Sequence, residues 1–158
     1  MPKTWFYMHR VTLSHPVIRA NILFIAFLLP VILGLSACEP NTFQEGERLY
    51  KAQCANCHMD DGIGLNALIP PIAGSDYLPA NRDILPCIIR YGLKDTIVVN
   101  GKTYAEIMPG VAKLTDVQIT NLLNFINNSW GNQNGLYRLE EVQATLEECR
   151  LQVQRGER

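Results

Sequence analysis

The residues best suited to chemistry lie in one short stretch, CANCH at residues 54–58. Cys54 and Cys57 are three positions apart, and His58 follows the second cysteine directly. Thiolates and imidazoles bind metals, paired thiols exchange with disulfides, and thiols also form covalent bonds to other groups. The stretch is therefore a zinc site, a redox-active dithiol or a point of covalent attachment, and each of these needs different partners elsewhere in the chain.

Zinc and dithiol chemistry both lack the context they need. A structural zinc ion takes four ligands, and the fourth would have to come from Cys87 or Cys149, neither of which belongs to a close pair of ligands. The other histidines, His9 and His15, lie in the N-terminal segment. A thioredoxin-like dithiol follows a strand in a βαβ unit, whereas a helical pattern precedes this motif and glycines follow it. Both interpretations are disfavoured.

The remaining interpretation is covalent attachment of haem, because C-x-x-C-H is the signature of c-type haem. The two thiols add to the two vinyl groups of one porphyrin, and the adjacent histidine binds the iron. The pattern therefore predicts one haem c, held by Cys54 and Cys57 and bound axially by His58.

An iron bound by His58 has a sixth position, and Met108 is the candidate for it. Met59 is next to His58 and cannot reach the other face of the ring, while Met1 and Met8 lie in the N-terminal segment. A lone methionine is otherwise a filler of apolar cores, but Pro109 stiffens the segment here. Histidine with methionine raises the reduction potential and leaves no open site, which favours outer-sphere electron transfer over chemistry on a small molecule.

The N-terminal segment has the pattern of a secretory signal. Residues 22–35 (ILFIAFLLPVILGL) carry no charge, and the only charges before them are basic: Lys3, Arg10 and Arg19. The run is shorter than the roughly 20 apolar residues of a membrane-spanning helix, and Pro30 interrupts it. A retained single-span anchor is the disfavoured alternative.

The apolar run ends in LSAC at residues 35–38, which resembles the lipobox of bacterial lipoproteins. We expect residues 1–37 to be a signal peptide, Cys38 to be acylated, and residues 38–41 to be a short linker. Several acyl chains on one cysteine hold a protein at a bilayer without a spanning helix. The chain is then anchored in the bacterial cell envelope, facing the periplasm, and Glu39 favours the outer membrane under the enteric sorting rule.

The charge of the expected mature part argues against a nucleic acid partner. Removal of residues 1–37 takes away three of the 14 basic residues and none of the 15 acidic ones, which leaves a mildly acidic protein.

The elements that must position the motif can be predicted from local patterns. Thr42 and Glu45 form a capping-box pattern for a helix that ends at the motif, and Thr115 and Gln118 form another. Asn100 followed by glycine between β-branched residues predicts a hairpin with a type I′ turn. We predict helices at 42–53, 84–91, 115–129 and 139–153, a hairpin at 96–103 and a long irregular loop at 60–80.

Over residues 42–131 the sequence resembles the class I cytochromes c, and several separate motifs in the family's order carry the resemblance. They are Gly46 with Tyr50, CANCH, Gly62 with Gly64, IPPIAGSDYL at 69–78, Arg90 with Gly92 and Leu93, VNGKTY at 99–104, Met108-Pro109, Leu122 with Phe125, and SWGN at 129–132. The resemblance implies an all-α cytochrome c fold with a small β-hairpin, which we expect to follow the signal peptide and to precede a C-terminal helical extension at 132–158.

The resemblance also implies further residue roles. A proline carbonyl in the 69–78 loop accepts a hydrogen bond from the axial histidine, and of Pro70 and Pro71 we choose Pro71. Arg90, Tyr104 and Trp130 either bond to haem propionates or serve packing. One departure is Met59, which stands where many relatives have glycine.

The resulting prediction is a membrane-anchored electron carrier, not an enzyme, that serves a respiratory oxidase, reductase or dehydrogenase. A haem enzyme is the alternative, but it needs a second haem or a distal polar residue in place of Met108, and the chain has one C-x-x-C-H. A gas-binding or sensor module needs Met108 to be displaceable.

Cys87 and Cys149 remain once lipid and haem are assigned. Export to an oxidising compartment permits a disulfide between them. Two buried, unlinked thiols are the equal alternative, because connectivity cannot be deduced from sequence.

Overall fold

The computed structural model describes residues 42–157. The predicted signal peptide at 1–37, the acylated Cys38 and the linker at 38–41 lie outside the described residues. Within residues 42–157, none of the helices combines the length and the apolar character that crossing a bilayer requires.

The described part is mainly helical, as predicted, with two small two-stranded sheets. In chain order the helices are α1 (Gln44–Gln53), α2 (Ala55–His58), α3 (Tyr77–Ala80), α4 (Leu85–Tyr91), α5 (Asp116–Asn127) and α6 (Leu139–Gln154). The strands are β1 (Gly92–Leu93), β2 (Ile97–Val99), β3 (Lys102–Tyr104) and β4 (Met108–Pro109), and a turn of 3₁₀ helix at Arg82–Ile84 precedes α4. This architecture is compatible with a cytochrome c fold.

Helices α1 and α5 cross closely at Gly46. A Cβ atom on Gly46 would overlap the backbone carbonyl oxygen of Asn121 and lie 2.6 Å from Cβ of Phe125, so only glycine fits at this crossing. The buried residues Leu49 and Tyr50 of α1 pack in the same core as Leu122. The crossing fixes the position of α1, and α1 leads directly into the CANCH stretch.

Of the two predicted capping boxes, one is present. Thr115 Oγ1 accepts from the backbone amide of Gln118 (3.2 Å), and Gln118 Oε1 accepts from the amide of Thr115 (2.9 Å). The box at Thr42 is wrong. Helix α1 begins at Gln44, with Phe43 at the N-cap, and the Glu45 carboxylate pairs instead with the Arg48 guanidinium at 2.7 and 2.9 Å.

The predicted hairpin is formed by β2 and β3, which pair in antiparallel register with Val99 opposite Lys102. Asn100 (φ 51°) and Gly101 (φ 75°) both have positive φ, as a type I′ turn requires. Strands β1 and β4, which were not predicted, pair Gly92 with Pro109 and Leu93 with Met108.

The predicted C-terminal helix is confirmed as α6, which packs against α4 and α5. Its buried residues are Val142, Leu146 and Cys149. Cys149 forms a disulfide with Cys87 of α4, with 6.0 Å between the two Cα atoms. Of the two alternatives for these cysteines, the structure has the disulfide.

Candidate functional site

Two adjacent cavities lie beside the CANCH stretch. About 540 and 490 Å³ of non-atom space lie within them, open solvent at their mouths included. Five residues line both cavities: His58, Pro70, Leu93, Ile97 and Met108. The histidine and the methionine singled out from the sequence therefore face one shared space, although 50 positions separate 58 from 108 in the chain.

The walls of the larger cavity are almost entirely apolar. The side chains come mainly from α4, from the hairpin and from the 69–78 loop: Pro71, Ile72, Leu78, Leu85, Ile88, Ile89 and Val99. The smaller cavity carries two carboxylates, Asp95 and Glu106, beside the exposed Ile107. The α4 residues were missed as site residues; the signal that could have found them is the helical spacing of Leu85, Ile88 and Ile89.

His58 is held in one orientation by a backbone carbonyl. It ends α2, it is buried, and its Nδ1 lies 3.1 Å from the carbonyl oxygen of Pro70. Because that oxygen can only accept, Nδ1 carries the proton and Nε2 keeps a free lone pair. The choice of Pro71 as this acceptor is wrong. The backbone of Gly64 lies so close to Pro70 that a Cβ there would be 2.6 Å from the Pro70 oxygen, and this close approach of the two backbones places the carbonyl beside the ring.

The environment keeps His58 neutral. Burial lowers the pKa of the ring below its ordinary value, and the hydrogen bond to Pro70 opposes that shift less strongly. A neutral imidazole with a free Nε2 is the form that binds a metal ion.

Cys54 and Cys57 stand on either side of the start of α2. Cys54 lies between α1 and α2, and its carbonyl accepts from the amides of Cys57 (3.1 Å) and His58 (2.9 Å). Cys54 packs partly against the core, while Cys57 is exposed and lines the smaller cavity. Burial, with a further contribution from Cys57, raises the pKa of the Cys54 thiol to about 11. Both cysteines are free thiols, so neither is consumed by a disulfide.

Met108 enters the site from a short strand. It is half-buried in β4, opposite Leu93 of β1, and it lines both cavities. Met108 therefore faces the same space as His58, and its role as the sixth ligand stays a prediction.

The three residues considered for haem propionates are placed differently from one another. Tyr104 lines the smaller cavity. The Arg90 guanidinium pairs with the Asp116 carboxylate at 2.7 Å, and the Trp130 ring packs against Tyr50 and Phe125, with centroids 4.8 and 5.1 Å apart. Arg90 and Trp130 thus have structural partners already.

The donor set and the cavity fit a covalently attached porphyrin. A pair of free thiols lies one turn apart, next to a neutral histidine with a free Nε2, and an apolar space begins at that histidine. Fold and site together define a c-type cytochrome domain.

Comparison with known proteins leads to the same family. Residues 41–126 match the family described as Cytochrome C oxidase, cbb3-type, subunit III, and the chain belongs to the mono-haem c-type cytochromes. It is 37% identical over 92 residues to cytochrome c-552 of Thermus thermophilus, which covers 56% of this chain and 70% of the relative. The prediction of a class I cytochrome c with covalently bound haem c is confirmed, and Cys54 and Cys57 lie in the C-x-x-C-H position.

Two other relatives are much longer proteins. The chain is 34% identical over 91 residues to the cytochrome c subunit of the quinone alcohol dehydrogenase of Gluconobacter oxydans, which covers 55% of this chain and 18% of the subunit. It is also 34% identical to the cytochrome c subunit of gluconate 2-dehydrogenase of Pantoea cypripedii, over 56% of this chain and 21% of the subunit. These likenesses support electron transfer as the function.

Proposed function

We propose that this chain passes single electrons through one haem c that Cys54 and Cys57 hold by thioether bonds and that His58 and Met108 bind from the two faces. The observation that carries the proposal is that His58 and Met108 line the same apolar space, with the Nδ1 of His58 already engaged by Pro70. When bound, the haem supplies a ferric/ferrous couple that accepts and donates one electron.

The residues of the chain orient and insulate that couple. The Pro70 carbonyl keeps the His58 ring in one tautomer and makes Nε2 a better donor to iron. The apolar walls from α4 and the hairpin exclude water, and a dry site with a thioether ligand favours the ferrous state and a higher potential. Because His58 and Met108 would both bind the iron, electron exchange with partners would need no bond between the iron and a substrate.

The partner we propose is a respiratory oxidase, a reductase or a dehydrogenase. The matched family is named for an oxidase subunit, and two relatives are named as cytochrome subunits of dehydrogenases. The chain meets such partners on the periplasmic side of a membrane, held there by lipid on Cys38.

The test is Met108→Ala in the haem-loaded protein. Covalent haem should remain, because the thioether cysteines are untouched, but the potential should fall and the iron should bind carbon monoxide. A tenfold preference of the thioether for ferrous over ferric iron corresponds to about 59 mV for a one-electron couple, so we expect a fall of at least that size. Redox titration and carbon monoxide spectra measure the two effects.

Met59→Ala is the matched control, because it removes the methionine that directly follows His58 and is not the proposed ligand. It should leave the reduction potential and the exclusion of carbon monoxide unchanged. If Met108→Ala keeps the parental spectrum and still excludes carbon monoxide, the sixth ligand is another group. In that case the carrier mechanism proposed here is wrong.

A further inference from the structure

The segment that carries Met108 is attached to the end of α4. The amide of Val111 donates to the carbonyl of Ile89 at 2.7 Å, and Leu93, just after α4, pairs with Met108 across the β1–β4 sheet. The Arg90 guanidinium also donates to the carbonyl of Ala112 at 3.2 Å. The backbone at Met108 and on its C-terminal side is therefore bonded to α4 or to the strand that continues it.

The attachment is close-packed as well as hydrogen-bonded. A Cβ atom on Gly110 would lie 2.5 Å from the carbonyl carbon of Tyr91 and 2.6 Å from the carbonyl oxygen of Arg90. A Cβ on Gly92 would likewise lie 2.8 Å from the amide nitrogen of Gly110. Since packed backbones do not compress, a displacement of the C-terminal end of α4 must displace the Met108 segment with it.

The disulfide joins the same helix to α6. Cys87 lies two residues before Ile89 in α4, and its bridge to Cys149 leaves both cysteines buried, at 2% and 3% exposure. The partner helix is itself anchored in the core through Val142 and Leu146. The other face of α4 lines the larger cavity, through Leu85, Ile88 and Ile89, so the disulfide attaches α4 to α6 on the side away from that cavity.

We propose that the Cys87–Cys149 disulfide is a positioning device for Met108. By fixing α4 against α6, it holds the β1–β4 pair in the place from which the methionine sulfur reaches the iron. This inference rests on the proposed ligation by Met108. It assigns to the C-terminal extension a role at the haem site, although α6 contributes no residue to either cavity.

The consequence is a competition between Met108 and added ligands. An external ligand binds the iron only in the population of molecules in which Met108 has moved away. Freeing α4 from α6 raises that population, and the apparent affinity for the added ligand rises by the same factor. Couplings between separate sites typically correspond to factors of about 5 to 150, so we expect at least a fivefold effect.

The experiment is an imidazole titration of the oxidised, haem-loaded full chain, followed by absorption spectroscopy. The double variant Cys87→Ala with Cys149→Ala should bind imidazole at least about fivefold more tightly than the parent. Leu49→Ala is the control for general destabilisation, because Leu49 is buried in the core from α1 and lines neither cavity. The control should keep the parental imidazole affinity, and equal affinities in the parent and the double variant would overturn the proposal.

Hydrogen exchange gives a readout that does not involve an added ligand. The Val111 amide should exchange at least about fivefold faster in the double variant, while the Ile119 amide, bonded to Thr115 inside the start of α5, should change less. If both amides accelerate equally, the bridge has only a general stabilising effect and the positioning role is refuted.

Should the double variant fail to load haem, the parent itself can be tested. A phosphine opens the bridge of the loaded protein in mild denaturant, the thiols are alkylated, and carbon monoxide replaces imidazole because the iron is then ferrous. Carbon monoxide should bind at least about fivefold more tightly than to ferrous protein with the bridge intact. Equal binding would overturn the proposal.

The two proposals fail in different ways. If the parent already binds imidazole as tightly as Met108→Ala, Met108 is not the ligand and the proposed function fails. If the parent binds it more weakly than Met108→Ala but as weakly as the double variant, only the positioning role fails.

Discussion

Met59 has a backbone conformation that side chains other than glycine rarely adopt. Its φ of 63° and ψ of 161° lie in a region that is almost exclusive to glycine, where a Cβ atom crowds the backbone. Two hydrogen bonds keep the residue there. Its amide donates to the carbonyl of Ala55 at 2.9 Å, and its carbonyl accepts from the Tyr50 hydroxyl at 2.6 Å. The residue that departs from the family's glycine is therefore a strained one.

We expect Met59→Gly to stabilise the loaded protein. Relief of this strain should stabilise the folded state by about 1–3 kcal/mol. Glycine also makes the unfolded chain more flexible, which lowers stability by roughly 1 kcal/mol, so the net gain should be about 1 kcal/mol. Denaturant unfolding measures it. Met59→Ala keeps the Cβ and should give no gain; if alanine stabilises as much as glycine, the effect comes from the methionine side chain and not from the backbone.

The acceptor of the His58 hydrogen bond, the Pro70 carbonyl, could not be predicted from residue types alone. Pro70 and Pro71 are adjacent, each offers a carbonyl and neither has an amide hydrogen, so composition does not distinguish them. The choice is made by the path of the backbone past Gly64, which is a contact between residues six apart in the chain. By contrast, Cys54, Cys57 and His58 could be predicted as a unit because their chemistry depends on local spacing alone.

At the scale of elements, α1 and α5 can cross this closely because Gly46 has no Cβ atom. Ala is normally the better helix former, so Gly46→Ala should stabilise α1 by up to about 1 kcal/mol if space allowed it. Here the added Cβ overlaps a backbone oxygen of Asn121, which cannot rotate away. We expect a net destabilisation of about 1 kcal/mol, because overpacking costs roughly 1–3 kcal/mol and the better helix propensity of alanine offsets up to about 1 kcal/mol of it.

The control for this prediction is Gln44→Ala, at the exposed start of the same helix. It should change the free energy of unfolding by no more than about 0.5 kcal/mol. Unfolding of both variants in denaturant would decide the matter, and a neutral or stabilising Gly46→Ala would show that the helices can separate without loss.

Local signals differed in how well they predicted element ends. The box at Thr115 is present with both of its bonds, since the Gln118 side chain accepts from the Thr115 amide and the Gln118 amide donates to Thr115 Oγ1. Glu45 was expected to complete the box at Thr42, but its carboxylate instead forms an ion pair with Arg48, one turn along the helix. The β1–β4 pair was not predictable, because strands of two residues carry no periodicity and pair only once α4 has brought them together.

At the scale of the whole molecule, the disulfide decides between alternatives that the sequence left equal. It links residues 62 positions apart, and loop-closure entropy for such a separation corresponds to roughly 4 kcal/mol. Its value here extends beyond stability, since it connects the C-terminal extension to the helix that borders the haem. The apolar cavity itself was not predictable in detail, because its walls come from α4, the hairpin and the 69–78 loop, which meet only in the folded chain.

The last prediction concerns Cys38 and the attachment of the whole protein to a membrane. Cys38→Ser should prevent acylation and, with it, the lipoprotein-specific cleavage, so the purified protein should keep residues 1–37 and lack fatty acid. Membrane fractionation alone is a poor test, because the retained apolar run at 22–35 can itself hold the variant at a bilayer. Mass spectrometry and labelling with radioactive palmitate are the appropriate measurements. The Cys87→Ala/Cys149→Ala double variant is the control and should keep both cleavage and label. Parental protein with an unmodified Cys38 would contradict the lipid anchor and leave the haem domain's function intact.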